Sequence, residues 1–369
     1  MSAESVLAVV TLLVLVPTCG IVLAVTPWIM SKGELFSVSV PAVAAGDPEA
    51  RSLKRAYSMW ILALTAVLTA CIGYALVATD PNMAVLAACA ATIVLVLASY
   101  LSMLHFRGKV QSLKLARGWK ATSQEHAAML GGADVPRPVS LRWELLNLLP
   151  IAASLLVALL GYDAAPDIIP VHQGFDGVVN GWAEKSVQTM LMPVVLQLAI
   201  AGTTAFCHAM ILRSKRPVDP RLPASSAVAY GAYARAWSAW CVGMGVAINA
   251  SVVALEASLV GWVSLGFAGA AITLATLAML VPCIVLAVRY GQNGTRLLDR
   301  LPEGAALCAD DDEHWRGGVF YANREDPAVV VPRRFGIGWT LNMGRPAGWL
   351  IVAAFLAICV ACLVVAVQG

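Results

Sequence analysis

Long uninterrupted apolar runs dominate this chain, and short polar stretches separate them. Runs of the length a helix needs to cross a hydrocarbon core, about 20 residues, fall at 6–29, 58–78, 83–105, 145–162, 187–212, 237–255, 260–288 and 347–367. Within each run the apolar residues are continuous rather than alternating, which argues for helices and against the strands of a membrane barrel. Pro150 lies in the shortest run, and Pro282 stands near the end of the long seventh run, where a kink is expected. The pattern predicts an all-α polytopic membrane protein. Its architecture is an eight-span helical bundle, with a small extracytoplasmic cap loop between the fourth and fifth spans and a small cytoplasmic module before the last helix.

Charge placement supports that count. With eight spans, segments 30–57, 106–144, 213–236 and 289–346 share one side of the membrane. They hold 24 of the 25 Lys and Arg residues, and only Lys185 lies on the other side. The positive-inside rule makes the basic side cytoplasmic and both termini extracytoplasmic. One span more or fewer would scatter the charges over both faces. Trp28, Trp60, Trp143, Trp237, Trp240, Trp262 and Trp349 fall near run ends, where an aromatic belt belongs. Glu4 stands where a signal peptide carries Lys or Arg, and the first run exceeds a signal core, so it reads as a retained span.

The expected organisation is an N-terminal three-span region (1–144) with two basic cytoplasmic loops. After it come a domain of two spans around an outer loop (145–212, loop 163–186), spans six and seven (213–288), the cytoplasmic module (289–346) and the last span (347–367). Composition agrees with this class. Hydrophobic residues make up 59% and charged residues 13%, against about 25% charged in an average soluble domain, and the mean hydropathy is +0.77. An ordinary soluble enzyme and a disordered chain are both excluded. The formal net charge of +3 reflects topology and carries no implication of nucleic-acid binding.

Isolated chemical groups have plain readings. The nine cysteines show no metal spacing, and none falls in the outer loop, so they read as small apolar packing residues. His208 is close enough to Arg213 to reach cytoplasmic headgroups, and Glu256 ends its span facing water. The run Asp310, Asp311, Asp312, Glu313, His314 lacks the turn and ligand spacing of a calcium loop and reads as a solvated acidic stretch. The outer carboxylates Asp163, Asp167, Asp176 and Glu184 offer acid–base groups, but no recognised catalytic pattern accompanies them. Gly336-x-Gly338 lacks the third glycine of a dinucleotide loop. No enzyme activity, metal or cofactor is expected.

Two extramembrane stretches carry specific patterns. The outer one contains Pro166, Ile169, Pro170, His172, Gly177, Trp182, Lys185 and Ser186. The prolines hold the residues before them extended, and Gly177 and Gly181 mark turns. This stretch resembles the bacterial membrane domain known as domain of unknown function 1648, departing from it at Gln173 and Gly174. The second stretch contains Trp315, Gly318, Phe320, Tyr321, Asn323, Asp326, Pro327, Arg334, Phe335, Gly336, Gly338, Thr340, Asn342 and Pro346. It is similar to the companion family of unknown function 5808. Two shorter echoes, Phe36-x-Val38-x-Val40-Pro41 with Lys54 and Tyr57, and Tyr290 to Arg296, extend the likeness along the chain. Within the module, Ala328 to Val331 is expected to pair with Val319 to Tyr321.

The resemblance implies relatives of SdpI-like immunity proteins, which protect a bacterium from a secreted peptide toxin. It implies an outer site built on His172, Trp182 and Lys185, in the bacterial cytoplasmic membrane. The partners expected are the lipid bilayer, a secreted peptide toxin or envelope ligand outside, and a transcriptional regulator inside. The alternative is a transporter or transporter subunit. Its support is thin in the sequence, because Asn249 and Gln197 are the best mid-span polar residues and no internal repeat is visible.

Overall fold

In a computed structural model of the protein, the described residues are 3–30, 33–78, 81–120, 135–174, 177–216, 223–298 and 311–368. Helix α1 (Ala3–Ile29) leads to a tight hairpin of β1 (Glu34–Leu35) and β2 (Val38–Ser39), followed by a 3-10 turn over Ala42–Gly46. Helices α2 (Pro48–Ala78) and α3 (Pro81–Ala116) come next. A 3-10 turn over Leu141–Asn147 runs directly into α4 (Leu148–Gly161). The antiparallel hairpin of β3 (Ile168–Gln173) and β4 (Val179–Glu184) connects α4 to α5 (Val187–Arg213). Then come α6 (Pro223–Leu259), α7 (Leu265–Tyr290) and the short α8 (Thr295–Leu298). A module of two hairpins follows. Strand β5 (Trp315–Arg316) pairs with β6 (Phe320–Tyr321), and β7 (Val330–Pro332) with β8 (Trp339–Leu341); α9 (Pro346–Gln368) closes the order.

Among the described residues, six helical stretches are long and apolar enough to cross a membrane: Pro48–Ala78, Met83–Ala116, Leu141–Gly161, Val187–Arg213, Pro223–Leu259 and Leu265–Leu298. Shorter apolar helices lie at Leu13–Ile29 and Pro346–Ala357. Many large apolar side chains point away from the bundle, among them Leu159, Val195 and Val281. In water such a surface would drive association; hydrocarbon is its natural solvent. The protein is a helical, multi-pass integral membrane protein.

Two helical cores are visible. Val16, Ala24, Tyr57, Ile61, Ile72, Leu95 and Met103 join α1, α2 and α3. Helices α4, α5 and α6 form the second, with α7 against α6. The long seventh run does not stay helical throughout. Gly261 adopts φ +79°, and the Gly261 and Trp262 N–H groups donate back to Ser258 O (3.1 Å) and Ala257 O (2.9 Å). That is a glycine-terminated helix end. Ser264 then caps α7 by accepting the Phe267 N–H at 3.1 Å, so 260–264 is a turn. Helix α6 starts well before residue 237 because Tyr230, Tyr233 and Ala234 bury a face against neighbouring protein rather than lipid.

The expected pairing of Ala328–Val331 with Val319–Tyr321 is not observed, since each strand closes on its own glycine turn. Gly317 and Gly318 (φ +55° and +72°) turn β5 into β6, while Gly336 and Gly338 (φ +92° and +114°) lie in the β7–β8 connection. Strand β6 is tied to the chain just after β8 by a bridge from Tyr321 to Asn342 and by the Met343 N–H donating to Tyr321 O at 2.8 Å.

Candidate functional site

Three assemblies hold the chemistry: the β3–β4 hairpin at one end of the bundle, the two-hairpin module at the other, and a buried polar track between them.

The β3–β4 hairpin is fastened to its helices. Ile169 is fully buried among Ala165, Met190, Leu259 and Val260. The Lys185 N–H donates to Asp167 O at 2.8 Å. Its ammonium donates to Ala165 O (3.0 Å) and Asp163 O (3.3 Å) and lies 5.1 Å from the centre of the Tyr162 ring. Lys185 therefore staples the base of the hairpin. Ser186 caps α5 by accepting the Thr189 N–H at 3.1 Å.

The register sets Ile168 opposite Glu184 and Pro170 opposite Trp182, on the face turned away from the helices. Trp182 is 60% exposed and Ile168 61%. The carboxylates Asp163, Asp167 and Glu184 are exposed around them, as is Pro166. A shift in register separates Pro170 from His172, which pairs with Gly181 and bonds through Nδ1 to Asn180 Oδ1. A Cβ on Gly181 would sit 2.6 Å from the His172 Cβ, so this position accepts only glycine without movement. Gly177, at φ +82°, donates its N–H to Gly174 O at 3.0 Å, and the Gln173 amide donates to Gly177 O at 2.7 Å. The two positions that depart from the family pattern thus build the turn. Asp176 lies outside the described residues.

The module gathers segments far apart in sequence around Arg334, which is 3% exposed. Its guanidinium contacts Asp311, Asp312 and Ser37 O, with Glu34 at 4.0 Å and the Trp315 ring 5.4 Å away. Asp312 also accepts from Lys114 Nζ (3.1 Å) and the Ser39 N–H (2.9 Å). Arg107 donates to Ser37 O, and Ser37 Oγ donates to Gly318 O at 2.6 Å. Phe36 stacks between Phe106 and Phe335, at 5.2 and 6.1 Å, with Tyr57 edge-on at 5.4 Å. The acidic stretch is thus not a solvated run: Asp311 and Asp312 compensate a buried guanidinium. Asp310 and Cys308 lie outside the described residues.

A second ion pair ties the far side. Lys215 Nζ lies 2.6 Å from Asp326, which also accepts from Tyr321 Oη (2.9 Å) and the Ala328 N–H (2.9 Å). Burial raises the carboxyls of Asp312 and Asp326. The outcome is set by their partners, chiefly Arg334 and Lys215, which hold both below the usual carboxylate value. Burial pushes the Tyr321 phenol up. Asn342 is the inner brace: its amide donates to Asn323 O (2.8 Å) and Ala328 O (3.0 Å) and accepts from the Asn323 N–H (3.0 Å). Gln292 likewise exchanges hydrogen bonds with Gly338 and donates to Arg333 O. Thr340 is half-buried opposite Val331, whereas Pro327 and Phe320 are exposed.

The track runs inside α4, α5 and α6. His208 is fully buried; Nδ1 lies 2.9 Å from Glu144 Oε1 and Nε2 lies 2.8 Å from Val139 O. It is a bound core residue, not one reaching for headgroups. The Asn147 amide donates to Glu144 Oε2 (3.0 Å), and Asn249 donates to Asn147 Oδ1 (2.8 Å). The Gln197 amide donates to Asn249 O (2.9 Å) and Pro150 O (3.3 Å). Ser154 and Glu256 are also fully buried, so Glu256 does not face water. Trp237 is likewise buried beside Tyr233 and Trp240 rather than placed in a belt. Glu144, Asn147, Ser154 and Thr204 were not singled out by the sequence. The signal was present in polar positions three, four or seven residues apart in or at the edge of apolar runs: Glu144 with Asn147, Thr204 with His208, and Asn249 with Glu256.

Residues 149–196 match a domain of unknown function, DUF1648, and residues 324–349 match a family of unknown function, DUF5808. The first match covers nearly all of α4, the hairpin and the start of α5. The second begins after β6 and runs through β7, Arg334 and β8 to the start of α9. No curated protein and no solved structure matches the chain.

Proposed function

We propose that the protein is a bacterial cytoplasmic-membrane receptor of the immunity or sensing kind, whose β3–β4 hairpin recognises a cationic, membrane-active peptide outside the cell. The observation that carries this reading is the hairpin's outward face. Trp182 and Ile168 offer an apolar ridge, and Asp163, Asp167 and Glu184 surround it with negative charge. The nearby cation, Lys185, is already spent on backbone carbonyls and the Tyr162 ring. An amphipathic cation fits such a face by both apolar contact and charge complementarity. Within this reading all eight apolar runs span the membrane, the hairpin lies outside with both termini, and the arginine-rich module lies inside. Trp182 is the anchor, His172 shapes the adjoining edge, and Lys185 holds the hairpin in place.

Sensing asks for a mechanical link between the two ends, and α5 is one. It starts at the hairpin with Ser186 and ends where Lys215 meets Asp326 and Val330 O. A peptide shifts the module, and any transcriptional regulator held by it, only if it binds two states of this link differently.

A survival assay tests the reading. Wild-type protein and Trp182→Ala are expressed to equal membrane levels in a sensitive bacterium, which is then challenged with cationic peptides. Protection by wild type, lost in Trp182→Ala, is the expected result. Equal survival with wild type and with no protein refutes immunity, and equal protection by both proteins moves recognition off the hairpin. A second reading, transport, draws on the buried polar track.

A further inference from the structure

We infer that the α4–α5–α6 track is a proton path, closed at its hairpin end by Ile169. Among the described residues, Gln197 Oε1, Asn249 Oδ1, Ser154 Oγ and both carboxylate oxygens of Glu256 have no hydrogen-bond partner, although all four side chains are fully buried. Buried polar atoms are ordinarily satisfied, so five such oxygens in one wedge of helices point to a mobile guest.

Their arrangement says which guest. Asn147 bonds Asn249 near one end, and Gly161 abuts Val260 near the other, so α4 and α6 run in the same direction. Gln197 bridges Pro150 O and Asn249 O, which fixes the common level. From there Ser154 stands one turn further on α4, and Glu256 about 10 Å further on α6. The oxygens form a ladder and not a shell, so they do not surround one metal cation. In the other direction His208 lies about 16 Å from Gln197 along α5, in contact with Glu144. The whole track spans about 27 Å, close to the thickness of a hydrocarbon core, about 30 Å.

Proton-exchanging groups stand at both ends, His208 with Glu144 at one and Glu256 at the other, while hydroxyl and amide oxygens line the middle. Water carries protons between such rungs. A proton taken up at one end is released at the other, so one positive charge crosses per event. Both mouths are stoppered. Ile169 packs on Leu259 and Val260 beyond Glu256, and the Val139 backbone bonds His208 and Ser238 at the far end. The path does not depend on the peptide reading of the hairpin.

The test uses the full chain in sodium-free liposomes that enclose a pH dye, with a potential imposed by potassium and valinomycin. Wild type, Glu256→Gln and Ile169→Ala are compared after each is shown to be monodisperse and helical. The expected result is proton flux above protein-free liposomes, raised in Ile169→Ala and lowered about a hundredfold or more in Glu256→Gln, the scale of losing a positioned proton-transfer group. Flux unchanged in Glu256→Gln overturns the inference. So does flux at the protein-free level in both wild type and Ile169→Ala, or flux that arises only when sodium is supplied.

Discussion

At the scale of single residues, Arg334 organises the module. A planar guanidinium presents several donors at once, and here they meet Asp311, Asp312 and Ser37 O in a nearly closed site. Removing one member leaves charge without compensation, which costs about 3–5 kcal/mol in a deeply buried pair. The two aspartates keep 26% and 23% exposure, so we expect about 2–3 kcal/mol for Arg334→Met, read as a lower melting temperature in detergent. Acid should act at the same place. Asp312 and Asp326 titrate lower in the folded protein than the ordinary value near 4. Their stabilisation is therefore complete above about pH 4 and is lost as the pH falls through the folded values. Protease cleavage within 311–345 should stay constant from about pH 7 to 5 and rise below about pH 4; no change down to pH 3 contradicts the ion-pair account. Arg334 was legible in the sequence as a patterned residue. Its acidic partners were not, because a run of carboxylates looks the same whether it faces water or a guanidinium brought from another segment.

At the scale of elements, hydropathy located the six helices long and apolar enough to cross a membrane, because lipid-facing surfaces must be apolar whatever their neighbours. It misplaced the ends where protein replaces lipid as the neighbour. Tyr230 and Tyr233 extend α6 because they pack under the module, with Tyr233 5.4 Å from the Trp339 ring. The elbow after α7 shows how closely these pieces meet. Gly294, at φ +79°, would place a Cβ 2.4 Å from Ala229 O, a backbone atom that cannot swing aside. Gly294→Ala should therefore cost about 1–3 kcal/mol and part α8 from α6, visible as faster amide exchange over 292–298. Unchanged exchange there contradicts the close approach. The same closeness binds the elbow to the module: Gln292 donates to Arg333 O and accepts from the Gly338 N–H.

At the scale of the whole molecule, one chain holds an exposed hairpin at one end and a braced module at the other, joined by α5 and α6. The stretches of the hairpin and module that the sequence distinguished each became one assembly. The polar track did not stand out, because its members are single residues on separate helices that only packing unites. The central claim is that the hairpin face binds a cationic amphipathic peptide through Trp182. The most direct measurement is equilibrium binding of such a peptide to the full chain in lipid nanodiscs, comparing wild type with Trp182→Ala. Loss of a central aromatic anchor worth about 2 kcal/mol should weaken Kd about thirtyfold while leaving the helical content and melting temperature unchanged. Equal affinity for the two proteins would contradict the account.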